Sequence, residues 1–337
     1  MRAETVEPAR AVNLRVSLVY ILAASHSGST LLAMLLGAHP DICTVGELKI
    51  TSLGDPENYR CSCQRLIRQC PFWTAVQNDM RQRGHDFDIA HAGTDLIGGS
   101  RGVARRLLAP LHRGPWFERL RDSALALVPC WRNHLEHVQA LNAHLMQRIL
   151  ERTGKKHVVD SSKIGIRLKY LLRNPLLDVR VVRLVRDGRG VSLTYIDPAR
   201  FADARDPRLR GGGMGGDREM ERLSMTQAAH EWRRSNEEAE SIMRQLDPAR
   251  CLEVRYEELC AEPAHTLARV HRFLGVTPAT AVPDFRQREH HVIGNGMRLD
   301  LTNEVRLDER WRSELSRSQL AEFEAEAGDL NRRLGYL

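Results

Sequence analysis

Arg15-Val16-Ser17-Leu18-Val19-Tyr20-Ile21-Leu22-Ala23-Ala24-Ser25-His26-Ser27-Gly28-Ser29-Thr30-Leu31-Leu32-Ala33-Met34-Leu35-Leu36 decides the fold. Its first ten residues form a short apolar run without polar alternation, the pattern of a strand covered on both faces. Six small or polar residues follow, then an apolar helix that ends near Gly37, where His39-Pro40 forbids its continuation. A strand, a tight loop holding Gly28, two hydroxyls and a helix start form an anion-receiving turn. The first-turn amides have no intrahelical partner, the helix dipole favours negative charge there, and Ser29 and Thr30 add donors. It is not a Walker sequence, because the Gly-x4-Gly-Lys spacing is absent. A plain turn capped by a hydroxyl reads the same way, and this segment alone does not separate the two.

Working outward, 157–160, 179–185 and 251–256 read as further strands, the second strongly β-branched. Trp131, Leu135, Val138, Leu141, Leu145 and Ile149 recur at helical steps, predicting an amphipathic helix over 130–152 closed by Gly154. A helix over 263–274 starts at Pro263 and stops at Gly275. Strands separated by helices imply right-handed crossovers and a parallel sheet. The expected fold is a three-layer α/β domain with helices on both faces, a single unit over 1–337. Two stretches interrupt it. Residues 54–114 read as a loop-rich insert bearing Cys, Arg and Gly, and 207–222, with five glycines, as a mobile surface loop. The acidic run 237–240 reads as the wet face of the helix containing Trp232.

Composition removes several function classes. Apolar residues at 42% supply a core, whereas aromatics at 5% argue against a module built on stacked rings. Lys plus Arg outnumber Asp plus Glu by 50 to 43, and the excess is Arg scattered along the chain. That suits a small anionic ligand held by guanidinium forks, and without a helix-turn-helix, finger or RNP-like segment no nucleic-acid partner is expected. No apolar run approaches the roughly 20 residues of a membrane span, and 16–24 lacks a basic lead-in, so a soluble, cytoplasmic protein is expected. Seven cysteines, an odd number, suggest reduced thiols. Cys61, Cys63 and Cys70 with a fourth group such as His85 can be drawn as a zinc site, but the spacing is poor for a finger. A redox pair is a second reading and plain buried thiols are the expected one, so no metal is assigned.

Val182-Arg183-Leu184-Val185-Arg186-Asp187-Gly188-Arg189 runs off the third strand toward Thr194. Arg186 sits at a strand's carboxyl end, where open α/β sheets bind ligands. An Arg-Asp pair tying a loop down is the alternative. Two such turns on adjacent strands suit a ligand with two separated phosphates.

Ser27-Gly28-Ser29-Thr30-Leu31-Leu32 with His39-Pro40-Asp41, and Arg186-Asp187-Gly188-Arg189 with Thr194, resemble the two binding motifs of sulfotransferases that use 3′-phosphoadenosine-5′-phosphosulfate (PAPS). The tyrosylprotein and carbohydrate branch and its bacterial relatives are the nearest in pattern. Val254-Arg255-Tyr256-Glu257-Glu258-Leu259 and Ile293-Gly294-Asn295-Gly296-Met297-Arg298 add to the resemblance, which covers about 15–50 and 155–335. It implies a P-loop-like fold and a donor cradle of Ser27, Gly28, Ser29, Thr30 and Leu31. It also implies Arg186 and Thr194 on the 3′-phosphate, Tyr256 near the adenosine, and Asn295 and Arg298 closing over the nucleotide. Glu47 falls at the catalytic carboxylate of the tyrosylprotein branch, and Lys163 where a cation stands near the transferring group. His26 occupies a position where the family usually has Arg or Lys, and imidazole carries charge only when protonated.

The implied reaction is in-line transfer of a sulfuryl group to a hydroxyl, or an amine, of a small molecule or glycan. Glu47 acts as base, with Lys163, His26 and loop amides stabilising charge, and no metal is required. His290 or His291 is an alternative base. A P-loop-type kinase, with Asp160 as a Mg²⁺ ligand, and a nucleotide binder that has lost catalysis are the competing readings. Oligomeric state is not readable, and a homo-oligomer is compatible with the chain.

Overall fold

The computed structural model describes residues 15–50, 53, 55–97, 100–109, 114–202, 222–279, 281, 284–286, 290–300 and 302–337. The glycine-rich 207–222 segment lies outside them except for Arg222. Five strands, β1 (Val16–Ala23), β2 (Ile42–Gly46), β3 (His157–Lys163), β4 (Leu177–Val185) and β5 (Cys251–Arg255), form one sheet in the order β2-β3-β1-β4-β5. Every pairing is parallel. β1 is central because it can be covered twice. Its Val16, Leu18, Tyr20 and Leu22 enter one apolar cluster, while Val19, Ile21 and Ala23 enter the other. Period-two alternation within an all-apolar run thus feeds two cores, and the expected three-layer arrangement is the one observed.

The helices obey their sequence signals closely. Ser29–Gly37 follows β1, Pro129–Thr153 stops at Gly154 with φ 65°, and Pro263–Leu274 stops at Gly275 with φ 75°. The 54–114 segment holds more structure than its composition suggests. It carries the helices Pro71–Gln82 and Gly102–Leu108, and Trp73, Val76 and Met80 are fully buried in the same core as β1. Their i, i+3, i+7 spacing is the helical signal in that stretch. In the Met225–Met243 helix the acidic run is not uniformly wet, since Glu238 is buried and packs against Gly165. Among the described residues, no helix is long and apolar enough to cross a membrane.

Two register shifts fall at the carboxyl end of β3. Between Tyr20 and Leu22, β1 advances two residues while β3 advances from Asp160 to Lys163. The neighbouring pair shifts between Thr44 and Gly46. Such bulges bend a strand and re-aim its side chains. Here the result is Lys163 with φ 71°, a left-handed backbone that a non-glycine residue seldom adopts.

Candidate active site

All five strands end on one crevice and each delivers a candidate residue there. Glu47 follows β2, Lys163 ends β3, the 25–31 loop follows β1, Arg186 follows β4 and Tyr256 follows β5. The crevice is a cavity of about 1070 Å³ whose wall includes His26, Gly28, Ser29, Thr30, Leu31, Glu47, Lys163, Arg186, Thr194, Tyr256 and Asn295. This is the carboxyl-end, switch-point position at which open parallel sheets take ligands.

The central loop is shaped by close approach. Gly28 has φ 89°, and a Cβ there would lie 2.5 Å from the Tyr256 ring, so only glycine fits between ring and loop. The next helix begins without a side-chain cap, which leaves the Ser29, Thr30 and Leu31 amides at the cavity without intrahelical acceptors. Ser27 is not on the wall. Its hydroxyl is buried without a hydrogen-bond partner among the described residues. His26 has φ 63°, its ring meets Tyr195 edge-on at 4.7 Å, and its carbonyl accepts a 2.9 Å hydrogen bond from Nη1 of Arg186.

Arg186 is buried and held on three sides. Its guanidinium lies 4.4 Å from the Tyr256 ring centroid, and Nη2 donates to the carbonyl and the carboxylate of Asp308, both at 3.0 Å. Arg310 grips the same carboxylate through Nε at 2.7 Å and Nη2 at 2.9 Å. Burial alone would push the Asp308 carboxyl up; the hydrogen bond from Arg310 and the charges of Arg186 and Arg310 outweigh it and hold it well below the usual range. Thr194 donates to the Gly190 carbonyl at 3.3 Å within its helix. Asn295 is at the wall, with its amide nitrogen tied to the Ala202 carbonyl at 2.8 Å.

On the opposite flank, Nζ of Lys163 donates to Oε1 of Glu47 at 2.5 Å, and both side chains are largely but not wholly buried. Glu47 is placed by backbone. Gly46 has φ 84°, and a Cβ on it would lie 1.9 Å from the Ile293 carbonyl oxygen. That closeness lets Ile293 donate to the Val45 carbonyl and accept from the Glu47 amide, at 3.0 and 3.1 Å. The following amides are anchored on β3, Leu48 to Oδ1 of Asp160 and Lys49 to Oγ of Ser162.

Arg298, expected at the nucleotide, and the alternatives drawn on Asp160, His290, His291 and His85 are placed elsewhere than those readings need. Arg298 is not at the cavity; it is buried with its guanidinium donating to the carbonyls of Arg60, Gly294 and Asn295 over the Tyr59 ring, so it braces the wall from behind. Asp160 is fully buried and accepts from Arg167, Ser162 and Leu48, which leaves it unfit as a Mg²⁺ ligand at the cavity. Neither His290 nor His291 reaches the wall. His290 is tied to the Phe285 carbonyl at 2.6 Å, and burial pushes its pKa down to about 4. His85 packs on His144 with ring centroids 4.3 Å apart, away from the thiols. Sequence reading missed Asp308 and Arg310, whose only signal is charge alternation in a stretch without periodicity.

A family model described as the sulfotransferase family matches residues 19–280. Carbohydrate sulfotransferase 2 of Mus musculus and of Homo sapiens are each 26% identical over 188 residues, covering 47% of this chain and 34% of the relative. The match thus spans about a third of the length of these curated relatives. Among solved structures, the sulfotransferase domain from the Synechococcus PCC 7002 olefin synthase is 20% identical, with a TM-score of 0.48, covering 92% of this chain and 94% of that one. With strand, loop and both motif regions inside the matched stretch, the chain belongs to the sulfotransferase family.

Proposed function

We propose that the cavity takes PAPS and passes its sulfuryl group to a hydroxyl or amine acceptor, releasing adenosine 3′,5′-bisphosphate. The observation that carries this reading is the order of side chains across the five strand ends. An anion-receiving helix start lies in the centre, a buried arginine beside a tyrosine on one flank, and a carboxylate–lysine pair on the other. The residues suit the donor. The helix start and the hydroxyls of Ser29 and Thr30 match a phosphosulfate. Arg186 and Thr194 match a second phosphate, and the Tyr256 ring offers a face to a base. Bound there, PAPS supplies a sulfuryl group already activated by its phosphate leaving group.

The chain's own groups do the rest. Glu47 accepts the acceptor's proton, and the hydrogen bond from Lys163 fixes the direction in which its carboxylate points. Lys163, His26 and the 29–31 amides present positive charge or dipoles to the oxygen on which charge builds. Among acceptors, a glycan leads, because the curated relatives are carbohydrate sulfotransferases by name; a small molecule is the second class. The commitment of Asp160 to Arg167 disfavours a kinase.

Calorimetric titration with adenosine 3′,5′-bisphosphate, beside ATP with and without Mg²⁺, tests the reading. Tight binding of the bisphosphate without metal supports it. Preference for ATP with Mg²⁺ overturns it, and tight binding of PAPS with no transfer to any glycan or phenol reassigns the protein as a nucleotide binder.

A further inference from the structure

Cys61, Cys63, Cys70 and His291 stand apart from the cavity and meet at one point. One donor atom from each lies within 4.8 Å of all the others. Sγ of Cys63 and Sγ of Cys70 are 3.7 Å apart, and Nδ1 of His291 is 3.8 Å from Sγ of Cys61 and 3.2 Å from Sγ of Cys70. A tetrahedral zinc ion, with Zn–S about 2.3 Å and Zn–N about 2.0 Å, has S···S edges of about 3.8 Å and S···N edges of about 3.5 Å. From this convergence of three thiols and one imidazole we infer that the protein carries a structural Cys₃His zinc site.

The backbone around the four donors is built to present them. Residues 60–66 form a tight turn in which the Cys61 amide donates to Arg65 and the Gln64 amide to Cys61, with Gln64 at φ 67°. Cys70 stands at the junction between the short turn Ile67–Gln69 and the Pro71–Gln82 helix. The His291 ring stacks parallel on Phe72 with centroids 4.5 Å apart, and its carbonyl accepts from the Trp73 indole at 3.0 Å. Ser62 locks the two chain segments together, donating its hydroxyl to the His290 carbonyl and accepting from the Val292 amide. Three of the four donors are buried and only Cys63 is half-buried, so all four positions are filled by protein and none is left open for a reacting water. That is the character of a structural centre. Binding Zn²⁺ with three thiolates and a neutral imidazole leaves one net negative charge and releases the thiol protons.

The metal would join parts of the chain 221 residues apart, Cys70 and His291. Two positions after His291, Ile293 makes the backbone bridge that places Glu47. The ion would therefore anchor the catalytic flank without touching the cavity.

Full-length protein, prepared in reductant without chelator or metal-affinity resin, should contain close to one zinc per chain by elemental mass spectrometry. A thiol-blocking mercurial should release it, and a chelator should lower the melting temperature. Replacing zinc with Co²⁺ should give the intense visible bands of tetrahedral cobalt and a thiolate charge-transfer band. Cys63→Ser, at the half-buried edge, should lose the metal, whereas Cys130→Ser, at an exposed cysteine outside the cluster, should keep it. Because the wild-type zinc content and cobalt spectrum need no variant, a misfolded mutant does not rescue the idea. Absence of zinc after incubation with Zn²⁺ in reductant, weak octahedral cobalt bands, or a Cys63–Cys70 disulfide in the protein as isolated would each overturn it. None of these readouts depends on the donor nucleotide.

Discussion

The two flanks of the cavity are held in opposite ways. On the β4–β5 side, Arg186 is buried and clamped by the Tyr256 ring, the His26 carbonyl and Asp308, which is itself gripped by Arg310. On the β2–β3 side, Glu47 and Lys163 hold each other, and their precision comes from backbone: a bulge that turns Lys163 inward and a glycine-permitted bridge beneath Glu47. A ligand's fixed charges suit a flank assembled in advance, while proton transfer needs side chains whose partners can change as charge moves. The division matches the proposed roles, donor binding on one side and chemistry on the other.

Glu47→Gln should break the chemical flank alone. We expect turnover to fall about 10²–10⁴-fold, the span of a lost general base, with bisphosphate affinity unchanged in calorimetric titration; a fully active variant would remove Glu47 from the mechanism. Arg186→Ala strikes the other flank and should weaken the bisphosphate by about 2 kcal/mol or more, roughly 30-fold in Kd. Undiminished affinity would dissolve the distinction between the sides. Gly28→Ala tests the seam. Strain at φ 89° and collision with Tyr256 should lower stability by about 1–3 kcal/mol in chemical denaturation, with nucleotide binding weakened as the loop shifts; an unaltered denaturation midpoint would show that the ring gives way freely. Smallest is Asp308→Asn, which removes a carboxylate that competes for Arg186. Bisphosphate should then bind about fivefold tighter, near 1 kcal/mol, while the melting temperature drops; weaker binding instead would make Asp308 a positioning residue.

Much of the frame was readable because single elements carry their own signals. The β1 run, the β-branched 179–185 stretch and the Pro-to-Gly span 263–275 each announce their limits locally. Strand β2 does not. Ile42-Cys43-Thr44-Val45-Gly46 is too short to show a period, and only its pairing with β3 makes it a strand. At the cavity, the 25–31 loop and Arg186 drew attention because their residue types suit anions at strand ends, whereas Tyr256 came only from the family resemblance; the structure puts all three on one wall. Arg298 was expected at the nucleotide through the resemblance alone, and no local sequence signal reveals the carbonyls that hold it behind the wall. His291 could not be joined to Cys70 from sequence, because nothing local spans 221 residues.

The carboxylate that Arg186 already holds also bears on selectivity. A guanidinium with a built-in counter-anion is never bare, so an anion arriving there must outbid Asp308 rather than merely fill a vacancy. Chloride, with one diffuse charge and no directed acceptors, gains little by such an exchange. A phosphate monoester brings nearly two charges and several aimed oxygens, and profits from it. On the proposed role of Arg186, Asp308 would therefore filter arriving anions by charge density, favouring a phosphate over a simple salt ion.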